Sequence, residues 1–245
     1  MTVTLDEWSK YRDLLAKLSQ KAADEFRDAV WNKNGRWGGV GLANIPREEL
    51  IEFAFGLATK YGEGGAALAC EYYDELAEIS GMYLAPAIPA ETATISEVGQ
   101  AINGALKFSE DVEYISNIVG RFVKQASQDT TLQNALRDGA EFAWVPAGMT
   151  CAFCLTLASR GWQRASKNAI KGGHAEHIHS NCDCAYTIRF SEKDTVEGYN
   201  PDEYLSMYQH AEGRTPTEKI NSMRRMGYAE DKPTEGTDNS GLIDV

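Results

Sequence analysis

No run of about 18 uncharged apolar residues occurs in the 245-residue chain, so no segment reads as a membrane-spanning helix. Met1 to Glu7 carry acidic side chains and no apolar stretch, which excludes a Sec-type signal peptide there. Basic charge is scarce: 24 Lys and Arg stand against 36 Asp and Glu, for a net charge of −12. A protein that grips duplex phosphates usually carries the opposite balance. The Gly-x-Ser-x-Gly, Walker and Gly-x-Gly-x-x-Gly patterns are missing, and with them the usual signatures of serine hydrolases, P-loop enzymes and dinucleotide folds. Internal repeats and low-complexity tracts are missing too. Cysteine is sparse, at five residues, and without an export signal those thiols are expected to stay reduced in a cytoplasm.

The remaining composition, 43% hydrophobic, is enough for an ordinary core. Apolar residues recur at three- and four-residue steps along most of the first 143 residues, which predicts helix after helix. Leu5, Trp8, Tyr11, Leu15, Leu18, Ala22 and Phe26 give a first helix that stops near Asn34-Gly35. A glycine-rich loop, Gly35 to Asn44, follows. Pro46 opens a second helix, with Glu48 and Glu49 in its first turn, and Gly62 ends it. A third carries Leu68, Tyr72, Leu76 and Ile79, with Gly81 as its cap and Cys70 as a small buried core residue. Pro86 to Pro89 break the pattern. A fourth helix carries Val98, Ile102 and Leu106. Ser109 caps a fifth, and Asp129 caps a sixth that includes Leu132, Leu136 and Phe142.

The character changes at Val145-Pro146. The segment to 190 is irregular and closes on Ala185 to Phe190, which alternates like a strand. Two short helical patterns follow, around Pro201 to His210 and Thr215 to Met226. The fold class expected is mainly α, a multi-helix N-terminal region followed by a small zinc-stapled α+β module with a short strand or hairpin. The division reads as residues 1–143 helical, 144–191 a Cys/His module, 192–228 short helices and 229–245 a mobile tail.

The module carries the chemistry. Cys151-x2-Cys154 is followed, after 24 residues, by His179-x2-Cys182-x-Cys184. A two-residue gap lets one turn offer both thiolates to a single ion, and zinc takes four tetrahedral N or S ligands. Cys151, Cys154 and His179 fill three positions. Either Cys182 or Cys184 fills the fourth, the latter sharing the parity of Tyr186 and Ile188 on the strand. His174 and His177 read as exposed loop histidines. With every position filled by protein, the zinc is structural, because a catalytic zinc keeps a place for water.

The residues Pro146-Ala-Gly148-Met-Thr-Cys151-Ala-Phe-Cys154-Leu-Thr-Leu157-Ala-Ser-Arg160-Gly161 resemble a segment of phage minor head proteins, the Mu F-like head morphogenesis and minor capsid proteins. The closing His179-Ser-Asn-Cys182-Asp-Cys184 is similar to theirs. Ile178 and Ser180 flank His179 where that family often has a proline or aromatic residue. The resemblance implies a structural minor head protein of a tailed bacteriophage or prophage. Such a protein sits in the virion head after assembly in the host cytoplasm. Its partners there are the portal or an inner capsid protein, with weak contact to packaged DNA. It acts in head assembly or DNA delivery.

Two other readings compete. Cys151 or Cys154 with His179 and Asp183 has the composition of a cysteine enzyme, maturation-protease-like or related to the ADP-ribosyltransferases fused to some head proteins. Alternatively, Arg160, Arg164, Lys167, Lys171 and Arg189, with Trp162 as a stacking platform, outline a nucleic-acid-binding zinc module. The segment 151–191 is locally basic, five cations to two anions, although metal-bound thiolates offset part of that.

Overall fold

The structure is a computed structural model that describes residues 2–146, 150–166 and 185–227. It is mainly helical with a small sheet. Helix α1 spans Leu5–Trp31, and its start is fixed by a capping box: the Thr4 hydroxyl accepts from the Glu7 N–H, and the Glu7 carboxylate accepts from the Thr4 N–H. Trp8, Tyr11, Leu15, Ala22 and Phe26 are buried along one face, as the periodicity requires. Helix α2 spans Arg47–Ile79, α3 Ile95–Ala105 and α4 Val112–Asp138.

Two pairs of predicted helices are single helices. Gly62 does not end a helix; α2 runs through Gly62, Gly64 and Gly65 for 33 residues. The glycines allow close approach. A Cβ at Gly65 would stand 2.9 Å from the Val123 carbonyl oxygen of α4, and one at Gly120 would stand 2.8 Å from Ser19 Oγ of α1. Likewise Asp129 lies inside α4, whose true N-cap is Asp111 and whose C-cap is Gly139 at φ 68°. Thr130 and Thr131 stay helical there, returning their hydroxyls to the carbonyls of Ala126 and Ser127. Cys70 is half-buried rather than buried.

Direction follows from the contacts. Arg27 meets Glu113, Ser19 Oγ donates to Gly120 O, and Tyr11 shares a 2.7 Å hydrogen bond with Ser127, so α1 is antiparallel to α4. Lys60 meets Glu25 and Gly64 meets Leu18, so α1 is antiparallel to α2 as well. Helices α2 and α4 are therefore parallel, and the chain needs a return path. The extended segment 82–94 provides it, passing back along the groove between them.

That strap has no ladder of its own and is held by side chains. Asp74 accepts from the Ala87 N–H, Asn134 accepts from the Ile88 N–H and donates to the Ile88 carbonyl, and Thr130 accepts from the Ala90 N–H. Arg137 donates to the carbonyls of Ala85 and Pro86 and pairs with Asp138 at 2.7 Å. Asp138 also accepts from Tyr73 at 2.9 Å. The Arg137 guanidinium first, and the Tyr73 hydroxyl second, hold the Asp138 carboxyl below its usual range. Its stabilising contribution is thus present above the ordinary carboxylate pKa and is lost as pH falls through the depressed value. Asp138→Asn is expected to flatten the acid side of a stability profile measured by urea unfolding from pH 6 to pH 3.

Beyond Gly139 the chain turns into β2, Glu141–Val145, so Phe142 belongs to a strand and not to the sixth helix. β2 is the centre of a three-stranded antiparallel sheet with β3, Gln163–Arg164, and β4, Ala185–Arg189. A short helix α5, Ala152–Ala158, lies in the stretch read as irregular. β1, Thr2–Val3, pairs in parallel with β5, Thr195–Val196. Helices α6, Pro201–His210, and α7, Pro216–Arg225, stand where the sequence placed them. One apolar cluster joins the helices to the sheet: Trp8, Tyr11, Tyr72, Tyr73 and Leu132 pack with Trp144, Tyr186 and Ile188. Tyr72 also bonds Thr187 of β4 at 3.1 Å.

Candidate metal centre

The sheet presents the module. Strand β2 pairs with β4 in the register Glu141↔Arg189 through Val145↔Ala185. The chain leaves β2 at Val145, passes through β3 at Gln163–Arg164, and enters β4 at Ala185, the residue paired with Val145. The first half of the Cys/His pattern, Cys151 and Cys154, follows the Val145 end of β2.

On the outgoing side, Cys151 is the N-cap of α5 and Cys154 sits in its first turn. The Cys154 N–H donates to Cys151 Sγ at 3.4 Å. Cys154 is 1% exposed and packs in the cluster that holds Trp144 and Tyr186; Cys151 is half-buried beside it. Neither cysteine forms a disulfide among the described residues. Helix α5 is locked from its other face, where Ala152 and Leu155 pack on Ala211, Ile220 and Met223 of the α6–α7 unit. The cysteine pair is therefore presented by a helix anchored on two sides.

His179, Cys182 and Cys184 lie outside the described residues, as do His174, His177, Asp183, Lys167 and Lys171. Among the described residues no three or more His, Cys, Asp or Glu side chains gather as a metal-holding group. Two cysteines at i and i+3, outside any disulfide, are the donor set that the first half of a zinc site requires.

Of the residues proposed to meet nucleic acid, two have structural partners. Arg189 makes a charge-assisted pair with Glu141 at 2.6 Å, and its guanidinium lies 4.8 Å from the Trp162 ring centre. Trp162 also meets Tyr199 edge-on at 5.9 Å. Arg160 and Arg164 are exposed. A helix-like repeat that runs on to Phe142 hides strand β2, and with it the Glu141–Arg189 pair, from the sequence. With β2 read as a strand, opposite charges at directly paired strand ends would have revealed it.

A cleft beside the sheet, walled by Phe142, Trp144, Arg160, Gln163 and Tyr186, holds about 10 Å³. That is the room of roughly one water molecule, too little for a peptide or nucleotide substrate. Burial holds the Tyr186 phenol well above its usual pKa, so it stays neutral.

No helix among the described residues is long and apolar enough to cross a membrane. No curated protein and no solved structure matches the chain. A family model described as VG15 protein matches residues 2–211, which take in the helical bundle, the sheet, the Cys/His segment and α6. The chain belongs to the VG15 protein family, a family of viral and phage gene products.

Proposed function

We propose that this chain is a structural minor head protein of a tailed bacteriophage or prophage, with one structural zinc. It works in the virion head, on the portal or an inner capsid protein, in head assembly or DNA delivery. The zinc ligands are Cys151, Cys154, His179 and either Cys182 or Cys184. The observation that carries the metal reading is the β2–β4 register: it returns the chain at Ala185 to the strand end that leads toward Cys151. Cys184 immediately precedes Ala185 in the sequence, so the second ligand half runs directly into β4 along the chain. A bound zinc would cross-link the two excursions from the sheet and hold a segment with few apolar residues of its own.

Membership of a phage family and the likeness of the Pro146–Gly161 and His179–Cys184 segments to minor head proteins support the head reading. The mutual engagement of Trp162, Arg189 and Glu141 favours a structural role over base stacking by the module.

Elemental analysis of the purified full chain is expected to give one zinc per chain. Cys151→Ser and His179→Ala are expected to lose the metal together with thermal stability. Purified particles should contain the chain at low copy. A metal-free, fully folded chain with one hyper-reactive cysteine would overturn the zinc reading and put a cysteine enzyme in its place.

A further inference from the structure

The strap between α2 and α3 is more firmly built than a connection requires. Its sequence, Leu84-Ala-Pro86-Ala-Ile88-Pro89, is a Pro-x-x-Pro segment. Each proline fixes its own φ, and each also forces the residue before it, Ala85 or Ile88, out of the helical region. Four positions are thereby confined to extended, polyproline-like backbone before any partner binds. Thr130 and Asn134, both at most 1% exposed, turn their side chains to this backbone. The strap nonetheless shows an apolar outer surface: Tyr83 is fully exposed and Ile88 is 55% exposed. Exposed Glu71, Asp74 and Glu78 recur at i, i+3 and i+7 along the α2 flank, and Glu91 adds a charge within the strap. The nearby cation Arg137 is already paired with Asp138.

We propose that this strap is a recognition segment, read by a partner protein through an aromatic-lined groove with a Lys/Arg rim. The prolines and Ile88 supply the apolar ridge that such grooves take, and the rigid backbone reduces the ordering cost of binding. The acidic flank selects a basic rim. The proposal rests on the head-protein reading only for where the partner is found.

The test places benzoylphenylalanine at Tyr83, Ile88 or, as control, exposed Lys17 of the full chain, expressed in the phage or prophage that encodes it. After irradiation, cross-linked peptides are sequenced from both particles and cell lysate. Cross-links from positions 83 and 88, absent from 17, are expected on a peptide of another protein that carries aromatic residues with Lys or Arg. The pair Pro86→Ala/Pro89→Ala, in a chain that still melts cooperatively at a slightly lower temperature, should reduce their yield roughly tenfold by removing the proline ridge and loosening the strap. Cross-links to a second copy of the chain or to lipid, a yield indifferent to the prolines, or none at all would overturn the proposal. Absence of the chain from particles would overturn the head reading instead, while the lysate cross-links still decide the strap.

Discussion

Trp8→Ala is expected to cost about 3–5 kcal/mol, the range for emptying a buried aromatic site. Trp8 is 1% exposed and stands against Tyr11 and Tyr72 at 5.9 and 6.1 Å, where the bundle meets the sheet. Tyr11 and Tyr72 are themselves stacked at 4.2 Å and hydrogen-bonded to Ser127 and Thr187. A cavity there loosens α1, α2, α4 and β4 together, because neither tyrosine can move without breaking its bond. Whole domains are stable by only about 5–15 kcal/mol, so the variant should melt roughly 10 °C or more below the parent. Trp8→Phe separates packing from hydrogen bonding. The indole Nε1 is buried with no hydrogen-bond partner among the described residues. Phenylalanine therefore gives up volume only, at about 1–2 kcal/mol. Equal losses in the two variants would refute this account of the joint.

The second large effect is a reversal of sign within one helix. Gly56→Ala in α2 is expected to stabilise by up to about 1 kcal/mol, since nothing lies within 4 Å of the added methyl and alanine is the better helix former. Gly65→Ala, nine residues on, gains the same propensity and places its methyl 2.9 Å from a backbone carbonyl of α4. Forcing the two helices apart costs about 1–3 kcal/mol more than it gains in comparable overpacked sites. Urea midpoints read both, with unchanged m-values confirming that stability alone has moved. A neutral or stabilising Gly65→Ala would mean that this glycine does not set the α2–α4 distance.

These glycines also show what the sequence could and could not disclose. Apolar spacing located every long helix, because burial of one face leaves a repeat that a single chain displays. Gly62 and Asp129 read as ends because both residues are common at ends. Only the approach of α4 to α2 shows that a small residue is wanted mid-helix at Gly65 and that Asp129 has no capping duty. Thr4-x-x-Glu7, Thr94-x-x-Glu97 and Thr215-x-x-Glu218 were available as start signals, and all three form capping boxes. Phe142 was lost to a neighbouring pattern, since strand β2 contributes only five residues and follows α4 after a two-residue turn. At the candidate centre, the cysteine spacing was legible, whereas the anchoring of α5 against Ile220 and Met223 was not: it depends on residues some 65 positions away. The ion pair between Glu141 and Arg189 likewise needed the register of two strands separated by 39 intervening residues.

The pairing of Thr2 and Val3 with Thr195 and Val196 bears on how the chain is made. Val3 is 1% exposed, and its carbonyl accepts the Glu197 N–H at 3.0 Å, so the clasp is a closed contact. On a ribosome adding about 5–20 residues per second, the first strand waits on the order of ten seconds or more for its mate. The helices can pack during that interval, but Thr2 and Val3 stay unpaired until Thr195 and Val196 have emerged. A product cut short before residue 195 keeps a bundle with an unclosed end, exposed to the proteases that clear incomplete chains. Closure of this clasp therefore marks a chain made past residue 197, and shorter products are expected to be digested more readily.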